Sequence, residues 1–317
     1  MPESYKVIYI GGDDGYHAAK DELSDIAEVI HVASEPEVLA KDLLDADALL
    51  DASMKVKITN EMTAKADKLK IISCATTGSD HIERDFLDEN KIPVKTLKED
   101  RELLNNITPA AELSWALLMA CARKLVPAVE HVRSGKWTRE EFPGVMLNNR
   151  QIGIIGCGRI GGWVSRYARA FGMNVVGYDP YIDTMPDGID EITLEKMFET
   201  SDFVSIHVHL SDETTGIVSS DLLAKSKPGL IFINTSRGQL VDQDALLREL
   251  ESGRLAAAGL DVLTGEPDIE NHPLVAYSKS NDNLFITPHC GGYSPDAVKV
   301  VCQHAANKIK NILKTGS

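Results

Sequence analysis

The chain has 317 residues, 43% hydrophobic and 26% charged, a globular balance whose length predicts two domains of roughly 100–200 residues. Its 48 acidic side chains against 33 basic ones leave a formal charge of −15, which argues against nucleic acid and membrane surfaces as partners but not against a small anionic substrate. No stretch approaches the roughly 20 apolar residues of a membrane span, and Met1 leads directly into a strand pattern; five scattered cysteines (Cys74, Cys121, Cys157, Cys290, Cys302) show neither a C-x-x-C pair nor zinc spacing, so a reducing, cytoplasmic setting and no metal are expected.

Short β-branched runs alternate with amphipathic helical segments along the chain, so the fold class is α/β with parallel sheets. In the first third, strands are expected at 6–10, 48–51, 70–73 and 94–97, with helices at 37–44 and 81–90, a flavodoxin-like arrangement. Charge-rich segments at 21–28 and 61–70 read as solvated helix faces. A long apolar helix at 109–125, with Thr108 as cap and Pro109 in its first turn, bridges into the second domain. Its stripe of Leu113, Leu117, Met119 and Ala120 exceeds one buried face. Strands at 151–155, 174–178, 203–208, 230–234, 257–261 and 284–287 then make a complete six-stranded Rossmann sheet. A final helix at 295–313 has no strand to cross to and is expected to pack back on the first domain. The smaller, substrate domain therefore takes residues 1–102 and 291–317, and the Rossmann domain residues 103–290.

Gly156-Cys157-Gly158-Arg159-Ile160-Gly161 fits G-x-G-x-x-G between the apolar strand Ile152-Gly153-Ile154-Ile155 and the helical run 160–171. Gly156 permits the tight turn, Gly158 lets backbone approach a pyrophosphate, and Gly161 allows close helix packing while the helix N-terminus attracts the anion. Asp179 ends the next strand, where a carboxylate bonds ribose hydroxyls and repels a 2′-phosphate, which favours NAD over NADP.

Three segments lie at strand ends of the second unit: Asn234-Thr235-Ser236-Arg237-Gly238, Gly265-Glu266-Pro267 and Thr287-Pro288-His289-Cys290-Gly291-Gly292. Each can reach the crevice where open α/β sheets bind ligands. Arg237, Glu266 and His289, in that order after the glycine-rich turn and Asp179, resemble the signature of the D-isomer-specific 2-hydroxyacid dehydrogenases. The likeness extends to Leu240-Val241-Asp242, Gly259-Leu260-Asp261-Val262 and Ala111-Glu112-Leu113, and it covers nearly the whole chain. Gly135-Lys136-Trp137 and Leu147-Asn148-Asn149-Arg150 place it nearest the phosphoglycerate-dehydrogenase-like members.

The resemblance implies hydride transfer between NAD(H) and a D-2-hydroxy or 2-oxo acid. Arg237 would grip the carboxylate and carbonyl in fork geometry, His289 would exchange the hydroxyl proton as general acid/base, and Glu266 would hold the imidazole. It also implies that Arg159, Ile160, Val208, Thr235, Ser236, Asp261 and Gly291 line the cofactor, with Asp261 toward the nicotinamide carboxamide. Thr76, Thr77 and Gly78 would form the substrate-side loop, and part of the stripe on the bridging helix a homodimer interface.

His207 and His209 share a face of an expected strand but lack further ligands, so they are read as structural and cofactor-side. His209 departs from the proline common in the family. Cys290, beside His289, is read as packing rather than as a redox sensor. The same resemblance admits one alternative, a dimeric NAD-sensing corepressor-like scaffold. Glu266 argues against formate, for which the family places Gln. Ser53 and Ser73 stand near positions where phosphoglycerate enzymes carry arginine, although Lys55 and Lys57 are close. A non-phosphorylated acid is therefore expected, such as glycerate or hydroxypyruvate, glyoxylate, lactate or an unusual sugar acid, without a serine-feedback domain.

Overall fold

Strand β1 (Tyr5–Ile10) is buried from Val7 to Ile10, as befits a strand covered on both faces by helices. The computed structural model describes residues 4–315 and divides into two units, one running to Ile107 and resuming at Tyr293, the other Thr108–Gly292. In the first, β1, β2 (Ala27–His31), β3 (Ala48–Asp51), β4 (Ile71–Cys74) and β5 (Val94–Lys95) form a parallel sheet of order β2-β1-β3-β4-β5. One face packs Leu39, Leu43, Ile58 and Leu87. The other packs Ala19 and Leu23 of α1 (Asp13–Leu23) with Cys302, Ala305 and Ile309 of the C-terminal helix Pro295–Thr315. That helix joins the first sheet, as its lack of a following strand suggested.

The second unit holds β6 (Gln151–Ile155), β7 (Asn174–Tyr178), β8 (Asp190–Glu191), β9 (Phe203–Ile206), β10 (Leu230–Asn234), β11 (Leu255–Leu260) and β12 (Leu284–Ile286). They form one parallel sheet of order β12-β11-β10-β9-β6-β7-β8. The order reverses between β6 and β9, which makes the C-terminal ends there the ligand crevice of an open sheet. Ile154, Phe203, Ile231 and Ile233 pack on one face, and Phe198, Val204, Phe232 and Leu260 on the other.

Several expectations need correction. The sheet has seven strands rather than six, because two-residue β8 pairs with Val176 and Gly177. The acidic segment 21–28 is not helical throughout: α1 stops at Leu23 and Glu28 lies in β2, whose pairing with β1 overrides its charge pattern. The helices expected at 61–70 and 81–90 shrink to Asn60–Ala64 and Asp85–Glu89, since Ile58 and Ile82 pair as a bridge that holds the preceding segments extended. The bridging helix ends sooner: α2 (Pro109–Arg123) stops at Lys124, φ 48°, and α3 (Leu125–Arg133) departs from there. Thr108 makes no side-chain cap; its hydroxyl donates instead to Glu112 Oε1 at 2.6 Å. Of the stripe on α2, Leu117 is core, Leu113 and Met119 are partly buried against it, and Ala120 is half-exposed.

Candidate active site

Two glycines of the first βα turn of the second unit have no room for a side chain. A Cβ on Gly156, at φ +87°, would sit 2.6 Å from His207 O and 2.7 Å from Val208 Cγ1; one on Gly161 would collide with the Gly156 carbonyl. A Cβ on Gly158 meets nothing within 4 Å. The turn is thus tight at both flanks and open at its crown, where α4 (Arg159–Ala170) presents a 12-residue helix N-terminus carrying Arg159 and Ile160. This cradle fits the pyrophosphate of a dinucleotide. Asp179, one residue past β7, accepts from Cys157 N–H (2.9 Å) and Tyr181 N–H (3.1 Å), so its carboxylate stands beside the turn, where ribose hydroxyls would lie.

The next strand ends bring Arg237, Glu266 and His289 onto the same edge. Asn234, last in β10, accepts from Ser236 N–H (2.9 Å) and donates to Arg237 O (2.9 Å), an Asx-type turn that aims the 235–237 segment. Ser236 Oγ donates to Ile206 O at 2.9 Å. The half-buried Arg237 donates through Nη1 to Ser236 O at 2.8 Å. A Cβ on Gly238 would collide with the backbone of Leu263 and Thr264, so the Arg237 turn lies directly against the loop that carries Glu266. Glu266 Oε2 accepts from Leu263 N–H (3.0 Å), and Oε1 lies 2.6 Å from His289 Nδ1.

His289 stands in the left-handed region at φ 50°, a conformation that other groups must hold. Asp261, 1% exposed just beyond β11, supplies them. Its carbonyl accepts from His289 N–H (2.8 Å), and its carboxylate accepts from Thr287 Oγ1 (2.5 Å), Cys290 N–H (2.9 Å) and Gly291 N–H (2.7 Å). The carboxylate expected at the cofactor therefore has both oxygens engaged in fixing the histidine turn. Burial, reinforced by Asp261, pushes the Cys290 thiol above its ordinary value and away from thiolate reactivity.

His207 and His209 fall beyond β9, not within it. The His207 ring approaches Ser205 Oγ at 2.8 Å with its Nδ1 shut off from water, and burial lowers the ring to about 3, which keeps it neutral. Thr76, Thr77 and Gly78 follow β4 in the first unit. Thr76 Oγ1 donates to Gly78 O (2.8 Å), while the amide N–H groups of Thr77 and Gly78 have no acceptor among the described residues. Also in that unit, Asp51 accepts from Ser53 and Met54 N–H, and its other oxygen lies 2.5 Å from His81 Nε2. Ser73 is buried, its hydroxyl donating to Ala305 O, and Lys57 pairs with Glu83 at 2.8 Å. Among the described residues no three His, Cys, Asp or Glu side chains gather to hold a metal, and no helix is long and apolar enough to cross a membrane.

The sequence did not reveal the turn-forming role of Asn234, which an Asx-turn pattern could have flagged, nor Gln243, first in α5 (Gln243–Glu251). Gln243 Nε2 donates to Gly238 O (3.4 Å), and Oε1 accepts from Thr264 N–H (3.3 Å) and faces His272 Nε2 (3.0 Å). It also missed Ser114 on α2, which lies 2.7 Å from Thr235 Oγ1. No local pattern signals these last two, because their partners are distant in sequence.

The geometry defines an NAD-type Rossmann unit with an imidazole–carboxylate pair on its ligand edge, and comparison with known proteins agrees. Residues 115–291 match the family model of the D-isomer specific 2-hydroxyacid dehydrogenase NAD binding domain. The chain is 34% identical over 299 residues to D-3-phosphoglycerate dehydrogenase of Methanocaldococcus jannaschii, covering 92% of this chain and 55% of that one. It is 34% identical over 282 residues to hydroxypyruvate reductase of Thermotoga maritima, with 89% and 90% covered. Among solved structures, TT0316 protein from Thermus thermophilus superposes with a TM-score of 0.85 at 31% identity, covering 98% of this chain and 97% of that one. The chain belongs to the D-isomer-specific 2-hydroxyacid dehydrogenase family, and its second unit carries that family's NAD-binding domain. It spans about half the length of the phosphoglycerate dehydrogenases it matches. The corepressor-like alternative finds no support among these relatives.

Proposed function

We propose that the protein transfers a hydride between NAD(H) and C2 of a D-2-hydroxy acid or its 2-oxo partner. The observation that carries this reading is the 2.6 Å His289–Glu266 contact on the sheet edge that bears the glycine cradle. When bound, the nicotinamide supplies or accepts the hydride. Glu266 holds Nδ1, so Nε2 of His289 is the nitrogen left to give a proton to the substrate oxygen in reduction and to take it back in oxidation. Arg237 presents its fork to the substrate carboxylate and carbonyl. The unbonded N–H groups at Thr77 and Gly78 offer a second place for a carboxylate in the first unit. Arg159, Ile160, Val208, Thr235, Ser236 and Gly291 line the cofactor, and Asp261 sets the histidine turn behind it.

The substrate is a non-phosphorylated acid. Ser73 is turned into the core, Ser53 is tied to Asp51 and Lys57 is paired with Glu83, which leaves the exposed Lys55 as the cation of this group outside an ion pair among the described residues, in place of the two arginines of the phosphoglycerate enzymes. Reduction of hydroxypyruvate, glyoxylate or pyruvate should exceed reduction of phosphohydroxypyruvate. His289→Asn should lower kcat for the best 2-oxo acid by about 10²- to 10⁴-fold with NADH affinity within about twofold; unchanged kcat would remove His289 from the chemistry.

The same reading makes the protein a homodimer. Leu125, Val126, Val129 and Val132 are exposed on α3, and Trp137 and Met146 beyond it are 88% and 72% exposed. Exposed apolar side chains of this kind are what a protein interface covers, and a second copy is their proposed cover.

A further inference from the structure

Ser114 lies on α2 before the matched region, is 1% exposed, and makes two contacts at 2.7 Å, with Ala110 O and with Thr235 Oγ1. A carbonyl oxygen can only accept, so the one Ser114 proton points to Ala110. Thr235 must then spend its own proton on Ser114 Oγ; otherwise two oxygens without a proton between them would stand 2.7 Å apart. The Thr235 hydroxyl is left with lone pairs alone for any third partner.

The topology says what that partner is. Asp179 at the end of β7 and the cradle after β6 fix the adenosine and pyrophosphate, so the remaining half of a dinucleotide runs the other way, over β9 and β10. Thr235 is the first residue beyond β10. There the nicotinamide carboxamide carries the group that matches an acceptor, its NH₂.

We propose that Ser114, through this fixed relay, makes Thr235 an acceptor-only reader of the nicotinamide carboxamide, so that the site selects a ligand that donates an N–H there. This deepens the function proposed above and rests on it. Ser114 is a positioning residue: it touches no cofactor and acts through the hydroxyl it polarises.

The test compares binding of NADH with binding of its reduced acetylpyridine analogue, in which a methyl ketone replaces the carboxamide and no N–H remains. Affinities are read by quenching of protein fluorescence without substrate. One hydrogen bond predicts that the wild type prefers NADH by about tenfold. In Ser114→Ala, Thr235 can rotate its proton toward either ligand, and the preference should fall to about twofold or less, mainly through tighter analogue binding. Thr235→Val should also abolish the preference, here through weaker NADH binding, and it serves as the second variant if Ser114→Ala does not fold. Equal weakening of both ligands in Ser114→Ala, with the ratio kept, would mean that Ser114 only packs α2, and overturns the inference alone. A wild type that binds both ligands equally also overturns it alone. A wild type that binds neither overturns the inference together with the function on which it rests.

Discussion

The fork of Arg237 matters more than its charge. Arg237→Lys keeps the cation and loses the planar pair of donors, so KM for the 2-oxo acid should rise and kcat fall, together by about 1.5–3 kcal/mol in kcat/KM, with NADH affinity unchanged. Unaltered steady-state kinetics would take the residue out of the mechanism. Asp179→Ser removes the carboxylate beside the cradle; NADH binding should weaken and the preference over NADPH shrink, which a paired titration with the two dinucleotides reads. The placement of Arg237, Glu266, His289 and Asp179 along one sheet edge was legible because each stands in a motif whose spacing is fixed by a strand end. The position of Asp261 was legible, but its hold on the histidine turn was not, because that turn depends on the positive φ of His289, which no sequence pattern reveals. Ser114 and Gln243 were not legible, since their partners are brought close only by packing of α2 and α5 on the sheet.

Strands buried on both faces were the most readable elements, as in β6, β7 and β10, where apolar runs end at turn residues. β2 was hidden by Glu28 and the acidic residues before it, and β8 is too short for a period to show. The turn between β6 and α4 bears one prediction. Gly161→Ala drives a Cβ into the Gly156 carbonyl, so α4 must move off the turn, and dinucleotide affinity should drop by at least tenfold. Calorimetric titration with NADH checks this, and wild-type affinity would mean that the cradle is not formed as described. The segment beyond β9 bears another. His207 has a folded value of about 3 against 6.5 for the free side chain, so its contribution to stability is intact above pH 6.5 and is lost as pH falls toward 3. Within that window it adds a slope of about 1.4 kcal/mol per pH unit. His207→Leu should flatten the decline by that amount, as urea unfolding at pH 7 and pH 5 would show; parallel declines would place the ring in water.

For the whole molecule, the apolar stripe of α2 is partly covered by its own unit, and more exposed apolar side chains follow on α3 and the segment through Met146. Pairing Val129→Asp with Val132→Asp should yield monomers by sedimentation with the fold intact by circular dichroism; a dimer that survives both charges uses another face. The central claim concerns where the hydride goes. NADH carrying deuterium at the transferring C4 position, incubated with the best substrate from a panel of 2-oxo acids able to form a chiral product, tests it directly. The account predicts a 2-hydroxy acid of D configuration with one deuterium at C2, formed by the wild type and nearly absent with His289→Asn. A product of L configuration, deuterium anywhere but C2, or no turnover of any 2-oxo acid by a protein that binds NADH would contradict it.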